Sequence, residues 1–249
     1  MFEAGLSQVV EAFLSQQVEQ LLAEIKRRGP AAVDDALFWQ QQEAQMRALL
    51  APHLADIAYE GVRTVMQRVG SAGLGVNWNL ANTNAASWAE QHAGDLVKRV
   101  TETTRRGISE QVAQWSQTGE GLPGLTDRIA AMKNEEGLTL FNPTRAKLIA
   151  TTESTTTYAS ANAQAWAAAG YAPAAYHPAA HVGCRCYLQP SRLPDGTKVM
   201  IWYTARDERV CDTPVTTPWG MVDGCKGLHG VIVSSGPYMG RKLSDVRNG

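Results

Sequence analysis

Cysteines and histidines are concentrated in one part of this sequence. Two of the four cysteines and two of the five histidines lie in HPAAHVGCRC, residues 177 to 186, and the other cysteines follow in DERVC and VDGC. Thiolate and imidazole groups are the ligands that zinc prefers, and a closed structural site takes four of them in a tetrahedron. The concentration of these residues therefore predicts a structural metal site.

Five residues are predicted to supply the metal ligands: Cys184, Cys186, Cys211, Cys225 and His181. The Cys-x-Cys spacing of the first two lets one turn provide two ligands. Cys211 and Cys225 are separated by a loop whose proline and glycine content is typical of a turn-rich segment, which would bring them together. His177 and His229 are additional candidate ligands.

Two other interpretations of the cluster stay open. The cysteines could be ordinary buried residues beside scattered surface histidines, or they could form a disulfide in an oxidising compartment. Four cysteines are too few for a disulfide scaffold in 249 residues, and their clustering with histidine favours the metal.

Motifs for catalysis are missing from the sequence. It has no His-x-Glu with a later Pro-Cys-x-x-Cys, no His-Glu-x-x-His, no phosphate-binding Gly-x-x-x-x-Gly-Lys loop and no Gly-x-Ser-x-Gly elbow. Acidic side chains near the cluster could serve a metal-dependent nuclease, although solvated loop charge is the favoured interpretation: Asp207, Glu208, Asp212 and Asp223. We therefore predict that the chain is not an enzyme and that structural zinc is its cofactor.

Helical periodicity dominates the sequence up to about residue 170. Apolar residues that recur every three to four positions predict one amphipathic helix before Pro30 and a second that Pro52 breaks or kinks. A third helix is expected to continue to Val69, and a fourth to run from about Asn84 to Trp115. A short helix is expected in LPGLTDRIAAMK.

The composition changes after a strongly marked helix. Asn142 and Pro143 are typical of the first positions of a helix, and Gly170 is typical of the residue that ends one. Beyond it, KVMIWYT (198–204) and GVIV (230–233) favour strands. These patterns predict an α+β, mainly α fold, in which long amphipathic helices precede a small metal-stapled β or irregular module. The predicted domains are an N-terminal helical region 1–75, a central helical domain 76–170 and a Cys/His-rich α+β module 171–249.

Charge and hydropathy argue against two classes of protein. The formal net charge of -1 is unlike that of a general nucleic-acid binder, which needs a surplus of lysine and arginine. No apolar run approaches the length of a membrane span, and MFEAGLSQVV lacks the features of a signal peptide. We expect a soluble protein made for the cytosol.

Three segments together resemble one known family. RAKLIATTESTTTYASANAQAW, WYTARDERVC and HVGCRC are similar to motifs of the phage head morphogenesis family, typified by the Mu F protein and the minor head protein of phage SPP1. The resemblance covers about residues 80 to 230 and extends more loosely over the N-terminal helices. In the family the Cys-Arg-Cys motif follows the Asp-x-Arg-Val-Cys motif, whereas here it precedes it. The usual Cys-x-x-Cys partner of Cys211 is also replaced by the more distant Cys225.

The resemblance implies a minor capsid protein of a tailed bacteriophage or prophage, which acts in head assembly and not in catalysis. The expected partners are portal, scaffold or major capsid proteins, with packaged DNA, contacted through a local patch, as a further candidate, and no membrane. The expected location is the virion, at the capsid interior or portal vertex, and the host cytoplasm during assembly. The family's metal-binding cysteines fall on Cys184, Cys186 and Cys211, with Cys225 as the fourth ligand, and His181 is the replacement if one of these cysteines is not a ligand. A metal-dependent nuclease or toxin-like effector, and a metal-free helical interaction protein, are the alternatives.

Overall fold

The computed structural model describes most of the chain, in segments separated by short gaps: residues 2–70, 76–118, 120–132, 141, 143–171, 186–204, 214–222, 224–234 and 236–248. Within these segments the chain forms six α-helices and two small antiparallel sheets. The predicted α+β, mainly α fold is therefore confirmed.

Helices account for most of the described residues up to residue 171, and a short one follows the strands near the C-terminus. Their bounds are α1 Phe2–Arg28, α2 Ala36–Val69, α3 Trp78–Thr118, α4 Leu122–Ala130, α5 Pro143–Ala168 and α6 Leu243–Asn248. The start of α5 at Pro143 agrees with the sequence prediction, whereas the predicted N-cap, Asn142, lies outside the described residues.

Helix α2 continues through Pro52, so of the break or kink predicted at that residue the break is wrong, and two expected helices are one. Proline removes the N–H that would bond to the carbonyl of Ala48. Both Ala48 and Pro52 are exposed, so water can satisfy that carbonyl. At its start, α2 is capped by Asp35, whose Oδ1 accepts the N–H groups of Leu37 at 3.0 Å and Phe38 at 3.4 Å.

Two hairpins follow the helices. The first pairs strand β1 (Tyr187–Arg192) with β2 (Lys198–Tyr203), and the second pairs β3 (Val215–Thr217) with β4 (Gly220–Val222). The strand predicted over 198–204 is thus confirmed as β2. The strand predicted over 230–233 is instead represented by isolated bridges, Ile201 to Ile232 and Val231 to Lys242.

The chain divides into two compact units. The first comprises Met1–His53 and Glu90–Ala150, and the second comprises Leu54–Ala89 and Thr151–Gly249. The three domains expected from the sequence stay a prediction.

The core of the first unit surrounds Trp39. This side chain is 3% exposed, and its Nε1–H donates to the carbonyl oxygen of Val33 at 2.7 Å. Apolar side chains from α1, α3 and α4 pack in the same cluster: Leu21, Ile25, Ile108, Leu125 and Ile129. Burying the indole with its donor satisfied avoids the cost of an unpaired polar group.

The second unit contains both hairpins, and the β1–β2 hairpin shares a core with the C-terminal helix. Leu193, Val199, Ile201 and Ile232 are buried together, and Leu243 and Val246 pack against them. This packing covers one face of the β1–β2 hairpin, and residues 230–233 pair along β2.

Candidate functional site

The β1–β2 hairpin positions the part of the chain that carries the predicted metal ligands. Its turn is closed by the Leu193 N–H, which donates to the Thr197 carbonyl at 2.9 Å. At the opposite end the last register pair is Tyr187 with Tyr203. We call Cys186, Tyr187, Tyr203 and Thr204 the open end of the hairpin.

The turn is anchored separately by Asp195. Its Oδ1 accepts the Thr197 N–H at 2.9 Å, and its Oδ2 accepts the Tyr238 hydroxyl at 3.0 Å. These hydrogen bonds lower the pKa of Asp195, and the one from Thr197 has the largest effect. The carboxylate therefore stays ionised and links the turn to the segment that leads into α6.

Three rings form a row at the open end. The rings of Tyr187 and Tyr203 are stacked, with centroids 5.7 Å apart and planes inclined by 16°. The ring of His229 meets Tyr203 edge-on, at 5.2 Å between centroids and 85° between planes. We call these three side chains the aromatic row; such pairs add to the stability that burial alone provides.

His229 is held by Thr204 as well as by the aromatic row. Its Nδ1 lies 3.0 Å from Thr204 Oγ1 and accepts the Thr204 N–H at 3.4 Å. The following residue, Gly230, donates its N–H to the Trp202 carbonyl at 2.8 Å, and Trp202 donates in turn to the Val231 carbonyl at 2.9 Å. The segment that contains His229 is therefore bonded along the last residues of β2.

Two of the predicted metal ligands fall among the described residues. Cys186 directly precedes β1 and is 2% exposed. Cys225 is the first residue of the 3₁₀-helix Cys225–Leu228, which leads directly to His229; only its backbone is described. Both thus belong to segments that reach the open end of the hairpin.

The remaining predicted residues of the site lie outside the described part of the chain: Cys184, Cys211, His181, His177, Asp207, Glu208, Asp212 and Asp223. Cys184 is two positions before Cys186, and the segment with Cys211 follows Thr204. Over the described ranges, no group of three or more His, Cys, Asp or Glu side chains is arranged to hold a metal ion.

The C-terminal end of α5 contacts the start of β2 in the same hairpin. Gly170 has a φ of 82°, its N–H bonds to the Ala167 carbonyl, and the Tyr171 N–H bonds to the Trp166 carbonyl, each at 3.0 Å. This is a Schellman motif, completed by the edge-on contact of the Trp166 and Tyr171 rings at 5.0 Å. The end of α5 therefore agrees with the stop that Gly170 predicts.

Lys198 joins this helix end to β2. Its Nζ donates to the Ala169 carbonyl at 3.2 Å and lies 5.1 Å from the centroid of the Tyr171 ring. A cation at a helix C-terminus complements the partial negative charge of the last carbonyls. The start of β2 is thus fixed to α5, and the open end lies at the other end of that strand.

Sequence reasoning named His229 as a candidate ligand but missed the two tyrosines of the aromatic row. Tyr187, Tyr203 and Thr204 gave no signal of their own, because their proximity depends on the strand register. The spacing Cys225-x-x-x-His229 was a usable signal, since zinc motifs commonly place ligands about one turn apart.

The fold and the open end define a mainly helical protein with a small C-terminal β module that carries cysteine and histidine. Among the helices of the described residues, none is both long and apolar enough to cross a bilayer. Comparison with known protein families, curated proteins and solved structures finds no match for this chain.

Proposed function

We propose that this chain is a minor capsid protein, or head morphogenesis protein, of a tailed bacteriophage or prophage. It would act in procapsid assembly through contacts with portal or scaffold proteins. The observation that supports the proposal is that Cys186, Thr204 and His229, each of which adjoins one of three motif-bearing segments, lie at the open end of the hairpin. HVGCRC leads into β1, WYT ends β2 and continues as ARDERVC, and VDGC begins the turn before His229.

The reversed order of the cysteine motifs is compatible with this proposal. A metal site depends on positions in space and not on the order of its ligands along the chain. In an antiparallel hairpin the residue before β1 and the residue after β2 lie at the same end. Segments on either side of the hairpin can therefore exchange their order and still supply one site.

The donor set fits a structural zinc ion. Cys186 brings a buried thiol to the open end, and Cys225 begins the 3₁₀-helix that leads to His229, whose neighbour Gly230 is bonded to β2. The predicted ligands would be Cys184, Cys186, Cys211 and Cys225, with His181 as an alternative. Zinc bound there would cross-link three segments and stabilise a module whose apolar core is small.

Exposed apolar side chains on the long helices support a role in protein assembly. Large hydrophobic residues are more than two fifths exposed on α2 and α3: Leu37, Leu49, Tyr59, Met66 and Leu80. Apolar groups on a helix surface are the usual anchors for a partner helix or groove. We assign these positions to contacts with other head proteins.

Metal analysis tests the proposed zinc site. Wild-type protein purified from a reducing cytosol should contain about one zinc per chain, measured by mass spectrometry of the elements. Cys186→Ser should lose most of it, whereas His53→Gln, a change in the middle of α2, should not. A folded wild-type protein without metal would contradict the zinc site.

Particle assembly tests the proposed function itself. Deleting the gene from the phage or prophage that carries it should reduce the yield of filled heads in electron micrographs of lysates. The protein should also be detected in purified wild-type particles at low copy number. Normal heads from the deletion strain, together with absence of the protein from particles, would contradict the proposal.

A further inference from the structure

We infer that a cavity beside β1 binds an extended peptide segment that carries acidic side chains. The cavity has a volume of about 550 Å³, which is within the range of sites that hold ligands. All of its lining residues belong to the second unit, and none of them is a proposed metal ligand. We call it the edge cavity, and six residues line it: Arg68, Trp166, Tyr171, Tyr187, Gln189 and Pro190.

The edge cavity lies along the outer edge of β1. Successive residues of a strand point to opposite faces of a sheet, yet Gln189 and Pro190 both line the cavity. A cavity that touches both faces of a strand reaches around one of its edges. The inner edge of β1 is paired with β2, so the cavity is at the outer edge. Residues at or just beyond the C-terminal ends of α2 and α5 complete its wall.

Backbone groups of β1 point out of the sheet at this edge. The Trp202 N–H donates to the Val231 carbonyl, and the Trp202 carbonyl accepts the Gly230 N–H, so both groups face away from β1. Leu188 is opposite Trp202 in the register, and its own N–H and carbonyl therefore face away from β2. Among the described residues no strand pairs with β1 on that side. An extended peptide can add to such an edge as a further strand.

The charge and the hydrogen-bond donors of the lining select an acidic peptide. Arg68 is exposed and is the one charged residue among the six, and a guanidinium binds a carboxylate through two parallel hydrogen bonds. Trp166 is 4% exposed, and its Nε1–H has no hydrogen-bond partner. A buried donor without an acceptor is costly, and a peptide carbonyl would supply the acceptor.

The aromatic side chains of the edge cavity are held in place by their neighbours. The Tyr171 ring meets Trp166 edge-on at 5.0 Å, and the Tyr187 ring is stacked on Tyr203 at 5.7 Å. Preorganised walls lose less freedom when a ligand binds. Lys198 Nζ lies 5.1 Å from the centroid of the Tyr171 ring, which places a second positive charge beside the cavity and favours an acidic partner.

Fluorescence anisotropy with two labelled peptides tests the inference on the whole chain. The probes are fluorescein-labelled Val-Glu-Val-Glu-Val-Gly and its neutral counterpart Val-Gln-Val-Gln-Val-Gly. We expect wild-type protein to bind the acidic peptide at least about 10-fold more tightly than the neutral one. Arg68→Gln should remove this difference. Arg63→Gln, which makes the same change on α2 outside the cavity, should preserve it.

Hydrogen exchange followed by nuclear magnetic resonance detects the added strand in wild-type protein. With saturating acidic peptide, the Leu188 amide should exchange at least about 10-fold more slowly, because it gains a hydrogen bond. The Gln189 amide faces β2 and should change little. Trp166→Phe keeps an aromatic ring without the N–H, and it should weaken the binding of both peptides by about 10-fold. Circular dichroism shows whether each variant is folded.

Each outcome decides for or against the edge cavity as an acidic-peptide site. Wild-type protein that binds neither peptide, or binds both equally well, overturns the inference. Binding of the acidic peptide without slower exchange at Leu188 overturns the addition of a strand to β1. Labelled oligothymidylate that binds more tightly than the acidic peptide, and depends on Arg68, would assign the cavity to nucleic acid and overturn the inference as well.

Discussion

Replacing Gly61 by alanine should destabilise the second unit, because α2 and α5 approach each other closely at this position. A Cβ atom at Gly61 would lie 2.8 Å from the backbone oxygen of Tyr158, 3.0 Å from Ala161 Cβ and 3.3 Å from the Asn162 nitrogen. Ordinary contacts of a Cβ begin at 3.4 Å. The closest neighbour is a backbone atom of α5, which cannot move out of the way by a side-chain rotation. The two helices must therefore separate to make room for the methyl group.

Separation would also weaken two hydrogen bonds between the helices. Asn162 Nδ2 donates to the Gly61 carbonyl at 3.4 Å, and the Tyr158 hydroxyl donates to Thr64 Oγ1 at 3.0 Å. Overpacking costs about 1–3 kcal/mol, whereas alanine gains about 1 kcal/mol over glycine within a helix. Because the obstacle is backbone, we expect the upper part of the cost and a net loss of about 1–2 kcal/mol.

Gly94→Ala is the matched control. Gly94 lies in the interior of α3, and its nearest neighbours are guanidinium atoms of Arg47 at 3.4 Å. That flexible side chain can move, so this variant should show mainly the helix-propensity gain of up to about 1 kcal/mol. Urea unfolding followed by circular dichroism measures both variants. Gly61→Ala with a midpoint as high as that of Gly94→Ala would refute the close-packing argument.

Three further changes test other contacts by thermal unfolding. Gly170→Ala should cost about 1–2 kcal/mol, because its φ of 82° is unfavourable for a residue with a Cβ; a midpoint equal to that of wild type would contradict the Schellman assignment. Lys198→Met should cost about 1 kcal/mol through loss of the contacts with the end of α5 and the Tyr171 ring, and Lys242→Met is its exposed control. Asp35→Ala should lower the midpoint in a pH-dependent way, because hydrogen bonds lower the pKa of Asp35 below 3.8. The hydrogen bond from Arg28 has the largest effect, and those from the N–H groups at the start of α2 add to it. The stabilisation is therefore complete above pH 3.8 and is lost as the pH falls through the folded pKa. Asp35→Asn keeps a capping oxygen and should remove mainly the pH-dependent part of the stabilisation. A stability difference between wild type and Asp35→Ala that is constant from pH 2 to 7 would argue against this assignment.

Local patterns predicted the elements that depend on near neighbours. The apolar repeat of α1, the proline at the start of α5 and the glycine at its end are all confirmed, because each acts within one or two helical turns. The β-branched and aromatic run of β2 likewise has a strong preference of its own. Such features need no knowledge of the rest of the fold.

Elements that depend on distant contacts were not predictable in the same way. β1 contains Pro190 and has little strand preference, and it is a strand because it pairs with β2. α5 buries Thr157, Ser160 and Asn162, so the apolar pattern of its sequence does not identify its buried face. Pro52 is tolerated because its surroundings are exposed to water, which the sequence does not reveal.

The candidate site shows the same division. Composition located the Cys/His-rich region and predicted Cys186 as a ligand, and this residue is buried at the open end. The contact of His229 with Tyr203 and Thr204 depends on the hydrogen bonds of Gly230 and Val231 with Trp202 and on the bridge from Ile201 to Ile232. Neither is encoded by spacing within a short segment.

The hairpin has a consequence for the order in which this region folds. Its turn is closed by residues that are near neighbours in the chain, Leu193 and Thr197, and such local contacts form fastest. Pairing would then spread from the turn to Tyr187 and Tyr203, which are also synthesised before His229. We therefore expect a nascent chain to complete the β1–β2 ladder first, so that the imidazole arrives at a surface that is already assembled.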